Sequence, residues 1–353
     1  MHVWNLRRPG FRIAAAAVVL LALLSLSLRL DARDRYSATV LVELTWGEGD
    51  GQVALIKGPS GSPSTGPASF ALSNGHIYLL DGGNERILCF DKTGAAAGSL
   101  PLPAKTVGEA VDVACDAKGA VYVLATKGVF RIGPDGPVPA ELQLPPCEGE
   151  AAATNLWIDR QGAFYLRQLI VEDERYVQRV VRCQANSDDA ETISLAVLAS
   201  DGNYAVDAEA FLPTEVNDLA FGPGGEYYVE GRVTDPFARI FSVYRRSGQL
   251  VREVVLRQDK YIRDSSLMGV DSKGGFAVGL NLSNEDATVD KVRRDGVVTA
   301  TWQPGAATVR ANVYGRMAAN GDVYLLRGTA EKCVIDQYRC QRSWAIVPRW
   351  SKK

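Results

Sequence analysis

Three polar residues on successive stretches of this chain have the types and spacing of an oxygen-ligand site. Asp112, Asn155 and Asp218 each stand seven residues before a turn glycine, and Asn217 precedes the last of them. Carboxylate and amide oxygens are the ligands that Ca²⁺ and Mg²⁺ prefer. We predict all four as ligand-binding residues, and the first three as metal ligands. The same residue types also favour strand starts, where they bond local backbone groups, so a structural role stays open.

Equivalent positions elsewhere in the chain are less suited to binding a cation. They hold Leu267, Tyr314 and, after allowing one deletion in the first repeat, Ser69. If the repeats form a ring, these positions should lie at one mouth of its central channel. Turns on the same face carry further charges, which we expect to form a solvated rim: Asp81, Arg167, Glu230 and Arg327.

The histidine count excludes several kinds of site. The chain has only His2 and His76, so a zinc site of several imidazoles cannot be built. His76 follows a hairpin glycine and is expected to be a solvent-facing turn residue. A formal charge of −2 without a basic cluster argues against a nucleic-acid partner. No phosphate-binding loop, Rossmann fingerprint or EF-hand loop is present.

A repeated strand and turn pattern positions these residues. Short apolar runs follow glycine turns at spacings of 44, 43, 63, 49 and 47 residues, and the runs are rich in Tyr, Val, Ile and Leu. These turn glycines are Gly75, Gly119, Gly162, Gly225, Gly274 and Gly321. Such a period is typical of propeller blades. The sequence therefore predicts an all-β, six-bladed β-propeller, with an insertion from Cys183 to Phe211 in blade three.

The ring also needs to be closed. Residues 37–46 read as a strand placed before blade one, and the last blade lacks an outer strand after Trp344 to Trp350. We expect residues 37–46 to pair in the last blade, because closure leaves no open edge. The propeller would then span residues 37–353.

The N-terminus predicts a membrane tether. A basic segment at residues 1–12, which we expect in the cytoplasm, precedes an apolar segment at residues 13–30. The apolar segment predicts a transmembrane or signal-anchor helix, and a short linker at 31–36 follows it. The expected location is the cell membrane, with a single pass and an extracytoplasmic propeller. A cleaved signal and secretion are the alternative. In an oxidising compartment Cys333 and Cys340 could form a disulfide if the segment between them folds back.

The first repeat carries the clearest family signature. Its glycine turn and Ile-Tyr-Leu-Leu strand run into Asp81, Asn84, Arg86 and Phe90. This pattern resembles the NHL-repeat and gluconolactonase-like six-bladed propellers. The resemblance implies the propeller fold, with Asp81 and Arg86 as a turn brace. Gluconolactonase-like enzymes place Asn, Asp and Glu around a divalent cation, and Asn217-Asp218 resembles one of their inner-strand motifs.

Two functions follow as hypotheses. The first is a membrane-tethered, non-catalytic module that binds an unknown protein, a peptide or a small polar ligand, with no cofactor. The alternative is a hydrolase or lyase of the gluconolactonase-like kind, dependent on Ca²⁺ or Mg²⁺, with its site at the channel mouth.

Overall fold

The computed structural model describes residues 28–59, 62–140, 151–172, 175–183, 193–194, 216–231, 235–282, 287–309, 311 and 313–348. Its strands form six sheets, which are the blades of a propeller, so the predicted all-β, six-bladed fold is confirmed. Strands β1 (Leu28–Trp46) and β2 (Gln52–Val53) come first in the chain but belong to the sixth sheet.

Blades one to five each have four strands in antiparallel order. Blade one contains β3 (Ser69–Ser73), β4 (His76–Asp81), β5 (Arg86–Phe90) and β6 (Ala96–Pro101). Blade two contains β7 (Ala110–Cys115), β8 (Val121–Ala125), β9 (Gly128–Gly133) and β10 (Gly136–Pro139). Blade three contains β11 (Ala151–Ile158), β12 (Phe164–Glu172), β13 (Arg175–Cys183) and β14 (Ile193–Ser194).

The remaining blades follow the same plan. Blade four contains β15 (Val216–Phe221), β16 (Tyr227–Gly231), β17 (Ala238–Tyr244) and β18 (Leu250–Arg257). Blade five contains β19 (Ile262–Val270), β20 (Phe276–Leu282), β21 (Ala287–Val292) and β22 (Val298–Trp302). Blade six adds β23 (Gly315–Met317), β24 (Val323–Gly328) and β25 (Lys332–Pro348) to β1 and β2. A one-turn helix, α1 (Ala104–Val107), precedes blade two.

The turn between the first two strands of every blade depends on a glycine. All six predicted turn glycines have positive φ, from 77° at Gly75 to 94° at Gly321. An L-residue with a side chain is strained there, whereas glycine is not. In blade two Asp116 adds a cap, because its Oδ1 accepts hydrogen bonds of 2.9 Å from the backbone N–H groups of Lys118 and Ala120. These local signals explain why the sequence identified the blades.

The cores lie between neighbouring blades. Phe241 of blade four and Phe276 of blade five are both fully buried, and their ring centroids are 5.2 Å apart. The second strands of the blades are covered on both faces, so strands such as β16 and β20 are buried along nearly their whole length, whereas the outer strands β6 and β18 are largely exposed. Burial of such a large side chain stabilises the fold by roughly 1.5–3 kcal/mol.

Strand β1 lies between β2 and β25 in the sixth sheet. Within it, the indole N–H of Trp46 donates to the carbonyl oxygen of Thr329 at 3.1 Å, and Lys332 pairs with Glu43 at 2.8 Å. Asp81 connects this sheet to blade one, since its carboxylate accepts from the N–H of Ala54 and from Arg86. Asp81 and Arg86 therefore lie where a turn brace would lie.

The two ends of the chain include longer strands than the sequence suggested. β1 begins at Leu28, so it takes in residues 28–30 of the predicted helix and all of the predicted linker 31–36. The reason is the 17-residue partner strand β25, which runs beside it. The rest of the predicted membrane segment lies outside the described residues. In the part of the chain that the structure describes, no helix has the length and apolar character to cross a bilayer.

By contact density the chain forms two units. One is residues 36–340, which hold the blades, and the other combines Met1–Arg35 with Gln341–Lys353. The described part of the smaller unit consists of the start of β1 and the end of β25.

The proposed Cys333–Cys340 disulfide is wrong. Both residues lie in the continuous strand β25, seven positions apart. An extended chain rises about 3.3 Å per residue, which separates them by about 23 Å, far beyond a disulfide's reach. Of the blade-three insertion, only Cys183 and the two residues of β14 lie within the described chain.

Candidate functional site

The inner strands bring six polar residues to one mouth of the channel. In each blade the residue concerned lies on the inner strand, opposite the residue of the second strand that stands five positions after the turn glycine. These residues, called the mouth ring below, are Ser69, Asp112, Asn155, Asp218, Ser266 and Tyr314. Five of them were predicted from the sequence.

The sixth prediction, Leu267, is corrected by a β-bulge. The register of β19 shifts between Leu267 and Gly269, so one extra residue is accommodated and Ser266 takes the ring position opposite Gly279. Bulges also precede Asp112, Asn155 and Asp218, whereas β3 has none. The deletion lies in the turn of blade one: four residues separate the paired Leu72 and Ile77, whereas five separate the equivalent Cys115 and Val121 of blade two.

Asp112 is fully buried and ties four blades together. Its Oδ1 accepts from the Ser69 hydroxyl at 2.5 Å and from the N–H of Val113 at 2.8 Å. Its Oδ2 accepts from the N–H of Leu156 in blade three at 2.8 Å. Arg316 of blade six lies 3.5 Å from Oδ1. Burial raises the pKa of Asp112, and Arg316 and these hydrogen bonds oppose the rise.

Asp218 repeats this arrangement between blades four and five. Its Oδ1 accepts from the N–H of Leu219 at 2.9 Å, and its Oδ2 from the N–H of Leu267 at 2.8 Å. Burial raises the pKa of Asp218 to about 6, although the nearby guanidinium of Arg167 lowers it. Asp218 is thus a brace between blades and also a carboxylate at the mouth.

Asn155 breaks the pattern. Its side chain is 8% exposed, and its Oδ1 is buried with no hydrogen-bond partner among the described residues. Across the strand pair stands Arg167, whose Nε donates to the Thr154 hydroxyl at 2.9 Å. Asn217 is the bulge residue of β15, and its side chain lies outside the described part of the structure.

Glu230 is a site residue that sequence reasoning placed only on the rim. It stands opposite Asp218 in the strand pair of blade four and is fully buried. Its Oε1 accepts from the Ser265 hydroxyl and lies 3.6 Å from Nε of Arg239. Its Oε2 is buried and, within the described chain, has no hydrogen-bond partner. The signal was the register, because Glu230 is the residue of β16 that pairs with Asp218.

The environment of Glu230 favours its protonated form. Burial raises its pKa to about 8, and the carboxylates of Asp218 and Asp264 add to the rise. The hydrogen bond from Ser265 and the charge of Arg239 act in the opposite direction. The pKa of Glu230 is thus raised further than that of Asp218, so Glu230 is the group of the pair that favours the proton.

Arg316 supplies a positive charge to the mouth ring. It comes from β23, its Nε donates to the carbonyl oxygen of Phe70 at 3.1 Å, and its charge lowers the pKa of both Asp112 and Asp218. It also lines a cavity of about 300 Å³ in the channel below the ring. The repeat pattern gave no indication of this residue.

The predicted metal ligands offer few free oxygens. Asp112 and Asp218 accept hydrogen bonds on both oxygens, which leaves Asn155 Oδ1 as the trio's acceptor without a partner in the described chain. Nor do the described residues contain a metal-binding group of three or more His, Cys, Asp or Glu. Ca²⁺ takes about six to eight oxygen ligands. The trio alone does not supply such a ligand shell, and the metal assignment stays a prediction.

Comparisons with known proteins agree with this architecture. A gluconolactonase from Xanthomonas campestris is 14% identical, with a TM-score of 0.50 over 89% of this chain and 95% of its own. The chain has the fold of gluconolactonase-like six-bladed propellers. This confirms the family resemblance inferred from the first repeat, at the level of fold.

Two further structures are also similar. A calcium-binding protein, regucalcin, from Agrobacterium tumefaciens is 10% identical, covering 89% of this chain and 95% of its own, with a TM-score of 0.44. A luciferin-regenerating enzyme is 9% identical, covering 88% and 98%, with a TM-score of 0.48. No family model and no curated protein matches the chain.

Proposed function

We propose that the protein is a hydrolase or lyase that works at the channel mouth by general acid–base catalysis, with Glu230 and Asp218 as the catalytic pair. The observation that carries this proposal is the pairing itself. A fully buried glutamic acid with one unpartnered oxygen in the described structure stands directly opposite a second carboxylate. Two carboxyl groups whose environments separate their pKa values are suited to opposite proton-transfer roles.

The surroundings of Glu230 keep its side chain in one orientation. Arg239 donates through Nε to the Ser265 hydroxyl, through Nη1 to the carbonyl oxygen of Ala238 and through Nη2 to that of Ile262, each at 2.8 Å. Ser265 in turn donates to Oε1 of Glu230. Because Oε1 is held from this side, the proton of Glu230 belongs on Oε2, which has no partner among the described residues.

For a hydrolysis the roles follow from the charges. Asp218 accepts a proton from water while the water oxygen forms a bond to the carbonyl carbon of an ester or lactone. Glu230 donates its proton to the leaving oxygen as the carbon–oxygen bond breaks. Asp218 then holds one proton and Glu230 holds none, and proton exchange with solvent restores the pair. Arg316 and Arg167 supply the positive charge that favours an oxyanion at this mouth.

Of the two predicted functions, the hydrolase or lyase has the better support. A non-catalytic module would not need a buried carboxyl pair whose pKa values are raised to different extents, and such groups cluster at catalytic sites. The proposed steps use no cation, so dependence on Ca²⁺ or Mg²⁺ is a separate question.

The test uses matched variants. The wild-type chain should hydrolyse members of a lactone and ester panel, measured by acid release. For general acid–base groups, loss of one partner lowers kcat by roughly 10²–10⁴-fold. We expect this for Glu230→Gln and Asp218→Asn, and no change for Glu109→Gln and Asp135→Asn, which alter exposed carboxylates elsewhere. Full activity in both mouth variants, or no turnover of any panel member by the wild type, would reject the proposal in favour of a binding module.

The membrane location is a second proposal, supported by the apolar run at residues 13–30 after three arginines. The expected result is that the full chain stays in the membrane fraction after an alkaline carbonate wash. A C-terminal reporter that works only outside the cytoplasm should be active. Release of a shortened chain into the medium would instead indicate a cleaved signal.

A further inference from the structure

A second cavity lies between blades five and six, beside the mouth ring. Its volume is about 560 Å³, which lies in the range of ligand pockets. Its wall is mixed, with Asn281, Gln303 and Thr308 beside an alkyl part that is contributed by Ala287, Ala306, Val309, Ala311, Leu325 and Leu326. Alkyl side chains stabilise an apolar group that is buried against them. They do not offset the free-energy cost of removing a charged group from water.

Tyr314 belongs to both the cavity and the mouth ring. It lines the cavity, and its hydroxyl is buried without a partner in the described chain. The Tyr314 hydroxyl packs directly against Gly279. A Cβ at residue 279 would collide with this hydroxyl, so the position requires glycine. Burial and the carboxylates of Asp264, Glu230 and Asp218 raise the pKa of Tyr314, so the hydroxyl keeps its proton beside the catalytic pair.

Among the described residues that line the cavity, Arg327 carries a charge, and this charge is already compensated. Arg327 pairs with Asp336 at 2.6 Å and also donates to the carbonyl oxygen of Ala306. An anionic group is therefore not required to balance Arg327. The cavity offers an apolar compartment whose polar end, at Tyr314, adjoins the acid–base pair.

From this continuity we infer that the cavity binds an alkyl substituent of the substrate. The inference rests on the proposed function and narrows it: the substrate is a carbonyl ester or lactone with an apolar chain. The reacting carbonyl lies at the mouth ring, within reach of the Tyr314 hydroxyl, and the chain lies against Leu325 and Leu326.

The kinetic test compares δ-valerolactone with δ-decanolactone, which have the same ring and differ by a five-carbon chain. Burial of these methylenes predicts a kcat/KM ratio at least about tenfold in favour of δ-decanolactone. Ala287→Trp, which fills the cavity, should reduce the ratio to about one. Ala306→Trp, on an exposed loop at the rim, is the second filling variant. Ala96→Trp, on the exposed outer strand of blade one, is the control and should keep the wild-type ratio.

A binding test separates this inference from the proposed reaction. 2-Pentylcyclohexanone and cyclohexanone cannot be hydrolysed, and calorimetry on the full chain gives their dissociation constants. We expect at least tenfold tighter binding of the pentyl compound, lost in Ala287→Trp and Ala306→Trp. That result supports the cavity even if no lactone is turned over. Equal binding of the two ketones overturns the inference, even if lactones are hydrolysed.

Discussion

Glu230 and Asp218 face each other across the first strand pair of blade four, and Ser265 of blade five holds the glutamic acid from the far side. The pair lies on two different strands and its support lies on a third. Its geometry therefore depends on the register within one blade and on the packing of that blade against the next.

Glu230 should make the fold less stable as pH rises. Its pKa is raised from 4.5 to about 8 by burial, so the folded protein keeps a proton that the unfolded chain releases between these values. The free energy of unfolding of the wild type should thus fall relative to Glu230→Gln from pH 4.5 to pH 8. Urea denaturation of both proteins at pH 5 and pH 9 measures this difference. A constant difference between the two pH values would show that Glu230 titrates normally.

Ser265→Ala should shift the basic limb of the pH–rate profile upward. The hydrogen bond from Ser265 lowers the pKa of Glu230, so its removal lets the acid keep its proton to higher pH. Losing a partner of a buried group also costs about 1–3 kcal/mol of stability. Ser242→Ala is the control, because Ser242 makes an equivalent bond to Glu253 on the surface. An unshifted limb with reduced stability would assign Ser265 a structural role alone.

Ca²⁺ should not stabilise the protein through the mouth ring. Asp112 and Asp218 already accept backbone N–H groups, and Arg316 places a positive charge beside them. Thermal unfolding of the full chain with millimolar Ca²⁺ or with a chelator should give the same Tm. A rise in Tm that disappears in Asp218→Ala would instead establish the predicted metal site.

Gly94→Ala should destabilise the closed ring more than Gly136→Ala. Both glycines have positive φ in the second turn of their blade, so both variants share the backbone strain. Only at Gly94 would a Cβ collide with backbone, at the carbonyl of Leu41 in β1, whereas Gly136 has open space around it. We expect Gly94→Ala to cost at least about 2 kcal/mol more, in the range of other overpacking changes. Equal losses in urea denaturation would contradict the close contact between blade one and β1.

Local signals let the sequence identify the blades, but not the whole site. A turn glycine such as Gly119 needs only its own backbone conformation, so its position can be read directly. The spacing predicts Leu267 for the ring position that Ser266 occupies, because no residue type in β19 indicates the bulge at Met268. Arg316 and Ser265 gain their roles from partners on other blades, and no spacing along the chain encodes those contacts. Asp112, Asn155 and Asp218 were found because each stands seven residues before its turn glycine, with no bulge in between.

The bulges of the inner strands also affect which side chains an insertion or deletion would bring to the mouth ring. Because side chains alternate between the two faces of a strand, one residue gained or lost there exchanges every side chain beyond that point between the faces. Blade one lacks a bulge, and blade five has one at Arg263 and a second nearer the turn at Met268, yet both place a serine at the ring. A single-codon insertion or deletion in one inner strand could therefore give this mouth a different set of functional groups while the other five blades stay as they are.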